Sequence, residues 1–270
     1  MPQTFHPDFG HQEVKITVRR VAADRPLVWL SAGWQDLKAN PVASISYGLL
    51  FAIAGDLILL LALPHPHLFS LAISGFFLVA PLLAAGLYEI SRRQEQGQAS
   101  SFVDSLAGWQ RNGESIALFG LGLALAGLVW ERVSAILFAL LYSGDGNVGM
   151  GIIDFMSTVV LSGNNLDFIS AWFIAGGCLA LLVFALTAIS VPMLLDRSNE
   201  RGGDLVTSMM TSLRAVLLNL DTMLLWAAII VTLTLIGFAT LLFGLIVIMP
   251  LLGHASWHAY RDLVEKDSTP

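Results

Sequence analysis

Six long apolar blocks alternate with short polar segments along this chain. Each holds about twenty or more residues that are almost all apolar, and a helix of about twenty residues crosses the roughly 30 Å hydrocarbon core of a membrane. A helix at the surface of a soluble protein would keep one polar face. The pattern therefore predicts an all-α fold, a polytopic membrane helix bundle with six transmembrane helices. The blocks are residues 42–63, 68–90, 116–142, 168–195, 215–236 and 238–260.

Three amphipathic segments precede the first, third and fifth blocks. Apolar residues recur at helical spacing within the otherwise polar residues 26–38, 94–113 and 205–217. Such a pattern is typical of a helix that lies in the membrane interface. We expect three short interfacial helices, all at the cytoplasmic surface.

A weak internal repeat runs through the chain. The residues Ala32-Gly33-Trp34-Gln35 recur as Ala107-Gly108-Trp109-Gln110, and Asn112 aligns with Asn219. Each unit reads as an interfacial helix followed by a hairpin of two spanning helices. The sequence predicts three hairpin repeats, about 26–93, 100–197 and 205–260, within a transmembrane domain of residues 26–260. Residues 1–25 and 261–270 are predicted to be polar cytoplasmic tails.

Charge is sparse and unevenly placed. Only 13% of the residues are charged, whereas about 25% is usual for a soluble domain. Of the 14 Lys and Arg residues, all except Arg132 fall on one side of a six-span topology. The positive-inside rule assigns that side to the cytoplasm. We therefore predict a multi-pass protein with both termini cytoplasmic.

Asp56, Glu131 and Arg132 are the ionisable side chains well inside the apolar blocks. A charge at the bilayer centre costs about 2.5–3.5 kcal/mol on insertion scales, so such residues usually have partners. Alignment of the first and third blocks places Asp56 and Arg132 at similar depth, which predicts a pair between them, with Glu131 as a second candidate partner. The pair is interpreted first as a neutralised contact that sets helix register, and second as part of a proton or ion relay.

His254 and His258 lie four residues apart near the end of the sixth block. This spacing makes them weak candidates for a metal or haem site, because two ligands without a third make a poor site. Anchoring at the interface beside Trp257 and Tyr260 is the preferred interpretation. We predict no metal, no cofactor and no catalytic residue, since the sequence has no phosphate-binding glycine loop, no HExxH helix and no GxSxG elbow.

Four stretches of the chain resemble a known family. They read FFLVAPLLAAGLYEISRR, VPMLLDR, TSLRAVLLN and PLLGHASWHAYRDL. Together they are similar to a proteobacterial family of predicted integral membrane proteins, domain of unknown function 2189, from about Pro26 onward. The resemblance implies a bacterial inner-membrane location and supplies no catalytic residues.

Two functions are open on this evidence. The first is a non-enzymatic protein that binds or assembles with other membrane components, such as subunits of respiratory complexes, in contact with the lipid bilayer and with no nucleic acid. Compact packing through small residues favours it. The alternative is a transporter of a small solute or ion that uses an intramembrane Asp56–Arg132 pair.

Overall fold

The structure is a computed structural model that describes residues 16–62, 83–142, 156–197 and 203–265. Within these ranges the regular secondary structure is helical, apart from one isolated antiparallel bridge between Val18 and Val264. The all-α prediction is therefore confirmed for the described chain. The helices are α1 (Arg25–Ala39), α2 (Pro41–Ala62), α3 (described over residues 83–95), α4 (Phe102–Ser105), α5 (Ala107–Arg111), α6 (Gly113–Leu141), a short π-helix (Met156–Val160), α7 (Leu166–Thr187), α8 (Ser190–Asp196), α9 (Leu205–Leu218), α10 (Leu220–Ala239) and α11 (Leu245–Leu263).

Four segments among the described residues are long and apolar enough to cross a membrane. They correspond to the first, third, fourth and fifth predicted blocks. Most of the second block, residues 68–82, lies outside the described residues. Its last residues, 83–90, belong to α3. The four segments are Pro41–Ile58, Gly113–Leu141, Leu166–Asp196 and Leu220–Ala239.

The sixth predicted block is not one uninterrupted helix. A turn at residues 240–244 separates α10 from α11, and Leu241 and Leu242 adopt left-handed φ angles of 51° and 67°. The Thr240 hydroxyl accepts a hydrogen bond from the N–H of Gly244 at 2.9 Å, which closes the turn. Gly237 makes room for it, because a Cβ there would lie 2.2 Å from the Leu245 side chain.

Helix α11 forms the centre of the described bundle. Helices α1 and α2 pack along it most extensively, and α8 and α10 also contact it. Close approach depends on two glycines: a Cβ on Gly33 would lie 2.7 Å from the nitrogen of Ala255, and one on Gly48 would lie 1.9 Å from the carbonyl oxygen of Ile246. These contacts bring α1 and α2 close to α11, and His254 of α11 is fully buried.

Three asparagines mark equivalent junctions. Asn40 separates α1 from α2, Asn112 separates α5 from α6, and Asn219 separates α9 from α10. Their φ and ψ angles are nearly the same, at −129° and 57°, −150° and 47°, and −127° and 46°. We call them the junction asparagines. Each ends a short helix and redirects the chain into one of the candidate spans.

Each short helix packs on another helix of the bundle. Helix α1 packs on α11. Gly108 of α5 packs closely on α3, because a Cβ at this position would lie only 2.9 Å from the carbonyl oxygen of Ala85. In α9 the Ser208 carbonyl accepts a hydrogen bond from the Ser190 hydroxyl of α8 at 3.3 Å. The short helices thus connect different helices of the bundle at the end where the junction asparagines lie.

The described part of the predicted N-terminal tail is held against the bundle. The Arg19 N–H donates to the Leu263 carbonyl at 2.8 Å, and the Glu265 N–H donates to the Thr17 carbonyl at 3.1 Å. Ile16 is buried in the core. Residues 16–21 and 263–265 therefore hold the two ends of the described chain together.

Candidate functional site

A fully buried carboxylate, Glu89, lies at the end of the bundle marked by the junction asparagines. It accepts two hydrogen bonds from Arg92 at 2.8 Å, one from Arg93 at 3.0 Å and one from Arg111 at 3.1 Å. We call these four residues the Glu89 cluster. Arg92 and Arg93 follow Glu89 on α3 at i+3 and i+4, where helical side chains meet, whereas Arg111 reaches across from α5. The hydrogen bond to Glu89 raises the pKa of Arg92 above its ordinary value.

A second ionic group surrounds Asp196 at the end of α8. Asp196 accepts hydrogen bonds from the Tyr260 hydroxyl at 2.8 Å and from Arg261 at 3.2 Å. Arg261 also pairs with Glu95 at 3.1 Å and lies 6.0 Å from the centre of the Trp257 ring. These contacts connect α3, α8 and α11.

Helix α1 is attached to α11 by three polar contacts. Asp262 accepts from Arg25 at 2.6 Å and from the Trp29 indole at 2.8 Å. The hydrogen bond to Asp262 raises the pKa of Arg25. One helical turn earlier on α11, His258 contacts Asp36 at 2.9 Å.

His254 lies in the core, which differs from the interfacial position expected for it. Its ring is fully buried, with Nε2 2.9 Å from the Ser44 hydroxyl and Nδ1 2.7 Å from the Ser91 hydroxyl. A neutral imidazole satisfies both contacts, because one nitrogen donates and the other accepts. The ring joins α2, α3 and α11, so its visible role is to connect helices.

Replacing His254 with Leu is expected to lower the free energy of unfolding by about 2 kcal/mol. The change leaves two buried hydroxyls without their partner, and each unsatisfied group costs about 1–3 kcal/mol. Adding Ser44→Ala and Ser91→Ala should recover most of the loss, because no orphaned hydroxyl then remains. Thermal unfolding of the wild type, the single variant and the triple variant in mild detergent measures both effects. A triple variant no more stable than the single one would contradict the contacts assigned to His254.

The three intramembrane charges do not form the predicted contact between helices. Arg132 pairs with its neighbour Glu131, with Nε and Oε2 2.8 Å apart, and the Arg132 side chain is 75% exposed. Asp56 is exposed on α2, and no ion pair joins it to a residue that the structure describes. Glu131, the second candidate partner, is thus the one observed. Depth along a helix can be read from sequence, but the direction in which each side chain points depends on how the helices pack.

An apolar cavity of about 560 Å³ lies between α6 and α7. The indole of Trp172 turns its N–H into the protein, where it donates to the Ser134 hydroxyl at 2.6 Å. No titratable side chain is in the lining. The cavity suits an apolar chain rather than a polar solute. Its lining residues include Leu123, Gly127, Trp130, Trp172, Gly176 and Phe184.

Part of the Glu89 cluster is readable from the sequence. Glu89 precedes Arg92 and Arg93 at helical spacing, at the end of an apolar block. Its contact with Arg111, 22 residues away, could not be read from spacing. As for metals, no group of three or more His, Cys, Asp and Glu side chains that could hold an ion occurs among the described residues, His254 and His258 included.

The candidate spans and the buried ionic contacts at one end of the bundle define a polytopic helical membrane protein. Residues 68–196 match the family model described as predicted integral membrane protein (DUF2189). This match confirms the resemblance over that part of the chain, although the resemblance extended from about Pro26 to the closing GHASWHAYRDL. No curated protein and no solved structure matches the chain.

Proposed function

We propose that this chain is an integral protein of the bacterial inner membrane that assembles with other membrane components, such as respiratory subunits, and catalyses no reaction. The observation that carries the proposal is the extent of apolar helix surface that the chain leaves uncovered. In α6, none of the residues in its most apolar 18-residue window is buried, and in α10 only 22% are. In a membrane such a surface faces lipid until another helix packs on it, and it is therefore the surface that a partner helix would contact.

The buried polar groups support a structural role for the rest of the bundle. Glu89 accepts hydrogen bonds from three arginines, and Asp196 accepts them from Tyr260 and Arg261. His254 is hydrogen-bonded to two serines. A catalytic group needs access to a substrate. These groups are instead engaged by the chain itself, so they stabilise contacts between helices.

The proposal includes six crossings in three hairpin repeats, with both termini in the cytoplasm. The similar backbone angles of the junction asparagines and the packing of each short helix on another hairpin support the repeat. Helix α11 has 19 residues, long enough to return across most of a bilayer, and its polar side chains contact polar residues of α1, α2, α3 and α8. The one-sided placement of Lys and Arg supports the orientation.

Solute transport has weaker support. It requires Asp56 and Arg132 in contact along a polar path, whereas Arg132 pairs with Glu131 and the cavity beside α6 has an apolar lining. Assembly is therefore the function that these observations favour.

Purification of the full tagged chain from its native membranes in mild detergent tests the proposal. We expect a stoichiometric membrane protein to copurify. We also expect a variant with Leu224→Trp and Leu235→Trp, both on the outward face of α10, to lose it. Ile174→Trp with Leu181→Trp, both at exposed positions on α7, is the matched control and should retain the partner. Purification of the wild type without another protein, or equal recovery with the α10 variant, would contradict the proposal.

A further inference from the structure

We infer that the chain associates with a second copy of itself through α2 of one copy and α6 of the other, with Asp56 facing Arg132 across the contact. This inference does not rest on the proposed function, because a protein can self-associate whether or not other components bind to it. It gives the predicted Asp56–Arg132 pair a location between two chains.

Helix α2 carries an outward apolar stripe that contains one acidic residue. Leu49, Ile53, Leu57 and Leu60 are exposed, and they recur at a spacing of three or four residues. Asp56 lies within this stripe and is exposed as well. The opposite face of α2 packs on α11, so the stripe points away from the bundle.

Helix α6 carries a matching stripe that contains one basic residue. Leu121, Leu125, Leu128 and Ile136 are exposed at the same kind of spacing, and Arg132 lies between the last two. Rows of side chains spaced by three and four residues are the ridges through which helices interdigitate. The two stripes therefore have similar shape and opposite charge.

The two charges lie at comparable depth. Asp56 is 16 residues beyond Asn40, and Arg132 is 20 residues beyond Asn112. At 1.5 Å per residue these distances are about 24 and 30 Å from equivalent junctions, a difference of about one helical turn. The long Arg side chain spans that difference, and its Cα–Cβ bond tilts toward the helix N-terminus, which is the direction of Asp56.

Both charges lie within apolar helix and would be costly if they faced lipid. Seven apolar residues, 57–63, follow Asp56 in its block, and residues 133–141 after Arg132 are apolar except for Ser134. Charges at such positions normally have partners in protein or water. Glu131 offsets part of the charge of Arg132 but leaves its side chain largely exposed, and Asp56 has no cation beside it among the described residues. A second copy supplies a partner for Asp56 and a second partner, besides Glu131, for Arg132.

The test uses two differently tagged copies of the full chain, expressed together and solubilised in mild detergent. Wild-type copies should copurify. When both copies carry Asp56→Arg, or both carry Arg132→Asp, like charges face each other and recovery of the second copy should fall at least fivefold.

Mixing the two variants separates this inference from a pair within one chain. If one copy carries Asp56→Arg and the other carries Arg132→Asp, every contact between unlike copies again joins opposite charges. Copurification should return to near the wild-type level, whereas a pair within one chain would stay broken in both copies. Asp167→Arg, an exposed reversal at the start of α7, is the control and should leave recovery unchanged.

Three outcomes would overturn the inference: wild-type copies that do not copurify, single variants that copurify normally, or mixed variants that fail to associate. Copurification of wild-type copies without any other protein would contradict the proposed assembly function and leave self-association intact.

Discussion

Replacing Glu89 with Gln is expected to lower the free energy of unfolding by about 3–5 kcal/mol, which is the usual cost of breaking a buried ion pair from one side. Gln has nearly the same shape, so the packing volume is retained. The substitution removes the negative charge that neutralises three guanidinium groups, whose Nε atoms lie 2.8–3.1 Å from the Glu89 carboxylate oxygens. Arg92 and Arg93 lie on α3 and Arg111 on α5, so their mutual repulsion would also push these helices apart.

Thermal unfolding of the purified protein in mild detergent measures the effect, and we expect a fall in Tm of roughly 10 °C. Glu114→Gln is the matched control: it makes the same chemical change at an exposed position in the first turn of α6. Surface changes of this kind usually alter stability by less than about 0.5 kcal/mol. Equal Tm values for the two variants would show that the Glu89 cluster does not stabilise the fold.

Adding a single methyl group at Gly48 is expected to cost about 3 kcal/mol, at the upper end of the usual overpacking penalty. An ideal Cβ at Gly48 would lie 1.9 Å from the carbonyl oxygen and 2.6 Å from the carbonyl carbon of Ile246. These are backbone atoms of α11, which cannot change rotamer to make room. Gly48→Ala must therefore separate α2 from the central helix, which also strains the contact between Ser44 and His254.

The control for Gly48→Ala is Gly122→Ala in α6, where a Cβ would meet no atom within 4 Å. Ala favours a helix interior over Gly by about 1 kcal/mol, so this variant should be as stable as the wild type or more so. Comparison of the two Tm values in mild detergent isolates the destabilisation that the steric clash at residue 48 causes. A Gly48→Ala variant as stable as Gly122→Ala would mean that α2 and α11 are not in close contact.

The sequence predicted the features that depend on residues close to one another along the chain. Uninterrupted apolar runs can be satisfied only by helices in a lipid environment, so the helical membrane class followed from composition and length alone. The i+3 and i+4 spacing of Arg92 and Arg93 from Glu89 was equally readable. The boundary between the fifth and sixth blocks at Gly237 predicted a break between α10 and α11. Its position at residues 240–244 was not readable, because the turn depends on Thr240 and on Gly237 lying against Leu245.

The amino-acid order was thus sufficient for the class of protein and the positions of most helices. The rotation of each helix about its own axis, and the neighbour it meets, came only from tertiary packing. Asp56 and Arg132 share a depth yet both point outward, and His254 faces two serines more than 160 residues away in sequence instead of the interface. The physical reason is that periodicity along one helix describes that helix alone, whereas the direction of a side chain depends on close contacts with other helices, such as that of Gly48 with Ile246.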